Sequence, residues 1–197
     1  MRVLFLFALL AGAAHAQHNH GTAANVDGLE VAETFVVTGL RLDETDPPPG
    51  SGVGRAGLRY GDGGYVSVVH GKPFVRGRVV WGGLVADGQV WAAGAHQATE
   101  LVTTVALEVG GTRLEPGAYS LFVTPTGDRW TLHVNTTLGM HLADEYDPAL
   151  DVVALEVAPR SLEDVVESLT WSFADDGSAL VLSWDRRSAA FPISRLP

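Results

Sequence analysis

Four histidines stand where coordination chemistry can occur: His70, His96, His133 and His141. They are far apart in the sequence, but each falls at a strand end or in a loop, positions that a sheet fold gathers at one rim. Neutral imidazole is the commonest metal ligand, and an ordinary pKa of about 6.5 leaves most of it free to coordinate at neutral pH. The chain has no cysteine. Three or four imidazoles without thiolate suit zinc or copper(II), and Met140, beside His141, adds a thioether that suits copper(I). A blue-copper site is excluded because its cysteine is missing. The leading expectation is therefore a copper or zinc site built from His70, His96 and His133, with His141 and Met140 as further donors. One local pattern speaks against it: on the run Trp130 to Asn135, His133 shares a face with Thr131 and Asn135, while Trp130, Leu132 and Val134 point the other way. His133 is then a solvent-face residue unless partners converge on it.

Other chemistries have weaker signals. Trp81, Trp91 and Lys72 offer an aromatic lining with one cation, the makings of a pocket for a small molecule or carbohydrate. A metal-dependent enzyme would need the same histidines plus a carboxylate base, with Glu100 or Asp144 in reach. Ser120 lies mid-strand without the sharp Gly-x-Ser-x-Gly turn of a hydrolase. Asp144, Glu145, Asp147 and Asp151 crowd one loop, whereas a glycosidase needs two carboxyls facing each other across a cleft. The glycines Gly61, Gly63 and Gly64 precede a strand, not the helix that a phosphate-binding loop requires.

The elements that must position these residues read as strands. Tyr65 to His70, Glu100 to Val109, Ala118 to Thr124, Arg129 to Asn135, Val152 to Val157, Ser168 to Phe173, Ala179 to Trp184 and Ser188 to Ile193 are β-rich runs of strand length. Hairpin signals separate several of them: Gly110-Gly111, Thr126-Gly127-Asp128, Asp175-Asp176-Gly177 and Asp185-Arg186-Arg187. Only Ser161 to Val166, with a serine cap and Asp164 three residues on, suggests a helical turn. About eight to ten strands without alternating helices predict an all-β fold, an antiparallel sandwich or flattened barrel. Between two of them runs His70 to Thr99, rich in glycine and holding Trp81 and Trp91. It reads as a long irregular connection whose tryptophans plug the core.

This stretch also carries a resemblance. PFVRGRVVWGGLVADGQVWAAGAHQAT, then GGTRLEPGAYSLFVTPTGDRWTLHVN and YDPALDV, are similar to the bacterial family called domain of unknown function 2911, over roughly residues 57 to 194. The resemblance implies an exported β protein and no established activity. Against the family pattern, His70-Gly71 stands in place of Tyr-Ser, Ala92 in place of an arginine, His96-Gln97 in place of Asn-Glu, and His133 at an apolar position.

The chain begins with an apolar run, Val3 to Ala11, and an Ala-x-Ala arrangement at Ala14 and Ala16, which read as a signal peptide over residues 1–16. The run is too short for a spanning helix and no cysteine follows it for a lipid anchor, so the expected location is periplasmic or extracellular. Gln17-His18-Asn19-His20 would open the mature chain, with a weak chelating signal from its free amine and histidines. Residues 17–56 read as an appendage and Pro/Gly-rich linker, and residues 57–197 as the compact domain. The formal charge of -10 makes nucleic acid an unsuitable partner. With 46% hydrophobic residues the domain can build a core without disulfides.

Overall fold

The computed structural model describes residues 50–197 in full and the backbone of residues 29–36. The expected signal peptide and the histidines at positions 18 and 20 lie outside the described residues. Eleven strands are described. In chain order they are β1 (Leu29–Val36), β2 (Gly52–Tyr60), β3 (Tyr65–Lys72), β4 (Thr99–Thr103), β5 (Leu107–Val109), β6 (Thr112–Leu114), β7 (Gly117–Thr126), β8 (Arg129–Asn135), β9 (Asp151–Val157), β10 (Arg160–Phe173) and β11 (Ala179–Arg195). They form two antiparallel sheets. The larger has the order β1-β2-β3-β4-β7-β8-β9 and the smaller β10-β11-β5-β6. The fold is the antiparallel sandwich, and no closed barrel is formed.

Period-two alternation decides which residues face the other sheet. From the large sheet, Ala56 and Leu58, Val66 and Val68, Leu101, Leu121 and Val123, then Trp130, Leu132 and Val134 are buried. From the small sheet come Leu169, Trp171 and Phe173, with Leu180, Leu182, Trp184 and Phe191. Both sets belong to one hydrophobic core.

Residues 73–98 connect β3 to β4 and cross between the sheets. The segment starts on the edge of β10, where the Val75 N–H donates to Glu167 O and the Leu169 N–H to Pro73 O. It ends on β7, where Trp91 and Val123 exchange two backbone hydrogen bonds. Between these anchors Trp81 lies 4.6 Å from Trp130 and 6.1 Å from Trp91, and Trp91 stacks 5.9 Å from Trp184. The expected irregular, core-plugging connection is what the chain forms.

Four local expectations change. The run Glu100 to Val109 is two strands, β4 in the large sheet and β5 in the small one. Ser161 to Val166 is extended within β10, with Ser161 opposite Arg187 and Val166 opposite Asp185. Its Ser-x-x-Asp cap has no apolar 3.6-residue period behind it, so pairing with β11 prevails over the helical turn. Asp185-Arg186-Arg187 is no hairpin: Asp185 takes φ 51 at an irregularity in that pairing, and one long strand runs through. The glycines of 52–54, assigned to the linker, instead begin β2, which reaches five residues ahead of the expected domain start at Gly57.

Trp130 has no exposed surface and anchors the buried end of the indole cluster against Trp81, which itself meets Trp91 and Trp184. Trp130→Ala is expected to lower the unfolding free energy by about 3–5 kcal/mol, read as a reduced urea midpoint at constant slope. Trp91→Ala, at the partly exposed end of the cluster, is expected to cost less.

Candidate functional site

The four histidines do not converge. His70 lies on the inner face of β3, in the series Val66, Val68, His70, and His133 on the outer face of β8. Three strand spacings, roughly 14 Å, also separate these two strands. Their side chains leave opposite sides of one sheet and cannot share an ion. Among the described residues no group of three or more His, Asp or Glu side chains could hold a metal. His70 and His133 are kept apart because strand parity, which sends neighbouring side chains to opposite faces, decides where an imidazole points.

His70 is a core residue, 3% exposed. It faces Gly54 in cross-strand register, and a Cβ on that glycine would lie 2.5 Å from its Nε2, so the missing side chain makes its room. Nδ1 lies 3.1 Å from Gly71 O, to which it donates, and Nε2 accepts from the Trp171 N–H at 3.4 Å. Burial pushes its pKa down to about 4, and the neighbouring Lys72 charge adds to that, while the bond to Gly71 opposes it. Both nitrogens are engaged within the protein and the ring is neutral.

Met140 is 2% exposed and packs with Ala92, Ala98 and Phe122 in a second, small core on the outer face of the large sheet. Its thioether is packing material rather than a ligand. Ala92 fills the same patch. His141 is exposed and pairs with Asp144 at 2.9 Å, a surface contact of small energetic weight. Trp81 and Trp91 spend their faces on each other and on the core, so they offer no open platform.

Partners do converge on His133. Nδ1 lies 2.9 Å from Asp151 Oδ2, and Nε2 lies 2.9 Å from Thr124 Oγ1. Asp151 also accepts from the Tyr146 hydroxyl at 2.6 Å and from Asn135 Nδ2 at 2.8 Å. Burial, then the bond to Asp151, raises the Tyr146 pKa far above its ordinary value. Hydroxyl, imidazole and carboxylate thus stand in the order of a nucleophilic relay. The backbone flanking Thr124 offers no oxyanion hole: Pro125 has no N–H and the Val123 N–H is committed to Trp91. The network instead ties the 136–150 loop to the sheet. Asn135 Oδ1 accepts from the Thr137 N–H, and Asn135 Nδ2 reaches Asp147 O.

The concave site lies on the outer face of β2, β3 and β4. A cleft of about 370 Å³ is lined by Val53, Val69, Gly71, Ala98, His96 and Glu100, among others. Val53 and Val69 are 37% and 40% exposed and form the open apolar floor of the cleft. The 92–98 turn forms one wall and fits against β3 because Gly71 has no side chain: a Cβ there would meet Ala95 O at 2.1 Å. Two residues of this wall take left-handed backbone, Ala93 (φ 49) and His96 (φ 67). Ala93 O is held by Trp171 Nε1 at 2.9 Å and Thr99 Oγ1 at 3.0 Å. His96 O accepts from the N–H of Leu142, itself at φ 52, and Ala98 N–H donates to Met140 O. Glu100 Oε1 accepts from the Gly139 N–H at 3.1 Å. Sequence reasoning singled out His96 and Glu100 but missed the valine floor. The signal was available in β2 and β3, where Val53 and Val69 stand out of step with the inward series.

Comparison with known proteins gives one match. The profile of a family described as "Protein of unknown function (DUF2911)" matches residues 58–193. No curated protein and no solved structure matches the chain.

Two outcomes follow. An unfolded histidine takes up a proton near pH 6.5 whereas His70 resists until about 4, so the unfolded state binds more protons in between and stability falls as the pH drops through that window. The loss saturates at about 3 kcal/mol. Urea unfolding at pH 7 and pH 4.5 is expected to show it, and His70→Gln to remove most of the difference. Tyr146→Phe takes a donor from Asp151 and is expected to cost about 1–3 kcal/mol, with faster amide exchange confined to the 136–150 loop.

Proposed function

The chain belongs to the DUF2911 family, whose description names no activity, and from the cleft of this member we propose a non-catalytic module that binds a small, largely apolar molecule. The observation that carries this reading is the valine floor: Val53 and Val69 lie open at the bottom of a concave site whose volume falls within the usual range of ligand pockets, about 300–1,000 Å³. Its more exposed polar side chains are those of His96, Gln97 and Glu100, and the buried His70 also borders it. Apolar surface with a few oriented polar groups is how such sites combine affinity with selection. The left-handed conformations at Ala93 and His96 support the same reading, since backbone strain persists where the surroundings enforce it, and it gathers at binding sites.

The expected platform of Trp81 and Trp91 is replaced by this floor, which makes a carbohydrate a poorer fit than an apolar body. The copper or zinc reading draws on His96 and Glu100 in the same cleft, with His141 on the adjoining segment. These are fewer, more scattered donors than the four-histidine site expected from sequence. Export to the periplasm or beyond remains part of the proposal, on the strength of residues 1–16.

The test is a methyl-resolved NMR titration of the chain with 2-phenylethanol. Saturable shifts are expected at Val53, Val69 and Ala98, and Val69→Phe, which fills the cleft, is expected to abolish them while leaving the remaining methyl spectrum in place. Shifts centred on Trp81 and Trp91 instead would move the site to the tryptophan cluster.

A further inference from the structure

Glu100 holds an unbalanced charge at the wall of this cleft. It stands on the outer face of β4, directly opposite Val69 in register. One carboxylate oxygen, Oε1, is fixed by the Gly139 N–H. Oε2 has no hydrogen-bond or ion-pair partner among the described residues. Arg55, on the same sheet face and also in register with Val69, is turned away to the Tyr65 hydroxyl and lies 5.4 Å over the Tyr65 ring. The carboxylate is only partly exposed and has an apolar surface beside it.

An apolar group over Oε2 would strip its water without replacing it, and a hydroxyl would return one hydrogen bond but leave the charge uncompensated, which is costly where it is covered. An anion would add repulsion to that cost. A divalent metal needs more donors than one carboxylate and one imidazole, as calcium's six to eight oxygens or zinc's four ligands illustrate. An ammonium group supplies both charge and hydrogen-bond donors, and the formal charge of -10 on the chain favours the approach of cations.

We infer that the ligand of this cleft is an amine with an apolar body, its ammonium group against Glu100 Oε2 and its body over Val53 and Val69. The inference rests on the cleft being a binding site, and it adds a sign to the ligand. Glu100 is then the residue that selects cationic from neutral ligands, while the valines and Gly71 provide the shape.

The test compares three probes of nearly one shape by NMR titration of the full chain: phenethylamine, neutral 2-phenylethanol and anionic 3-phenylpropionate. Phenethylamine is expected to bind at least tenfold more tightly than the alcohol, with the acid weakest. In Glu100→Gln, phenethylamine is expected to fall to the affinity that the same variant shows for the alcohol. Equal affinity of amine and alcohol in the parent chain, or a preference for the amine that survives Glu100→Gln, would overturn the amine assignment and leave the binding cleft standing. Failure of all three probes to shift Val53 and Val69 would overturn both.

Discussion

The candidate site depends on how the 73–98 connection is pinned between the two sheets. Nothing in its own backbone is regular enough to hold it: among the described residues it contributes isolated bridges at Phe74, Trp81, Trp91 and Gln97 and no strand. Its order comes from burying two indoles against Trp130 and Trp184, each worth several kcal/mol of removed apolar surface. Once Trp91 is fixed on β7, only seven residues remain before β4 begins at Thr99. The chain must turn over the outer face of β3 within that length. It does so against Gly71, the one position in that strand where the turn's backbone can come so close. The cleft is the space left beside this forced turn.

That dependence explains the left-handed residues. Ala93 and His96 occupy backbone conformations that cost a non-glycine residue about 1 kcal/mol or more. The cost is met by fixed partners: Trp171 and Thr99 hold one carbonyl, Leu142 the other. A glycine at 96 would be more relaxed, so the imidazole is kept at the cleft rim against local backbone preference.

Much of the architecture was legible because strand signals are local. β3, β7 and β8 emerge from alternation and flanking turns almost to the residue, and the tryptophans of the connection announce a packed segment. What failed was the inference from residue type to shared location. Four histidines suggest one site only if their strands present them on one face, and that is settled by parity against the core. For His133 the pattern was read correctly from Trp130, Leu132 and Val134. The same reading applied to Val66, Val68 and His70 puts His70 inside. The long β10 and β11 were split by polar and charged runs resembling turns. In a two-sheet fold such runs can also mark an irregular pairing, as Asp185 does, and only the cross-strand partner distinguishes the two.

His133 and Glu100 show why the way a group is satisfied says more about function than its identity. His133 looked like the more chemical residue, yet both its nitrogens and both oxygens of its carboxylate partner are occupied, by bonds that join β7, β8 and β9 and tie Tyr146 of the loop to them. A group whose hydrogen-bonding capacity is filled by its own fold has little left for a ligand. Glu100 drew less attention from sequence, but it sits half-satisfied beside exposed valines in a concave part of the sheet. Folding alone would favour a neutral residue there. A carboxylate held by one backbone N–H, with its second oxygen open, gains its full complement only when something outside the chain supplies it.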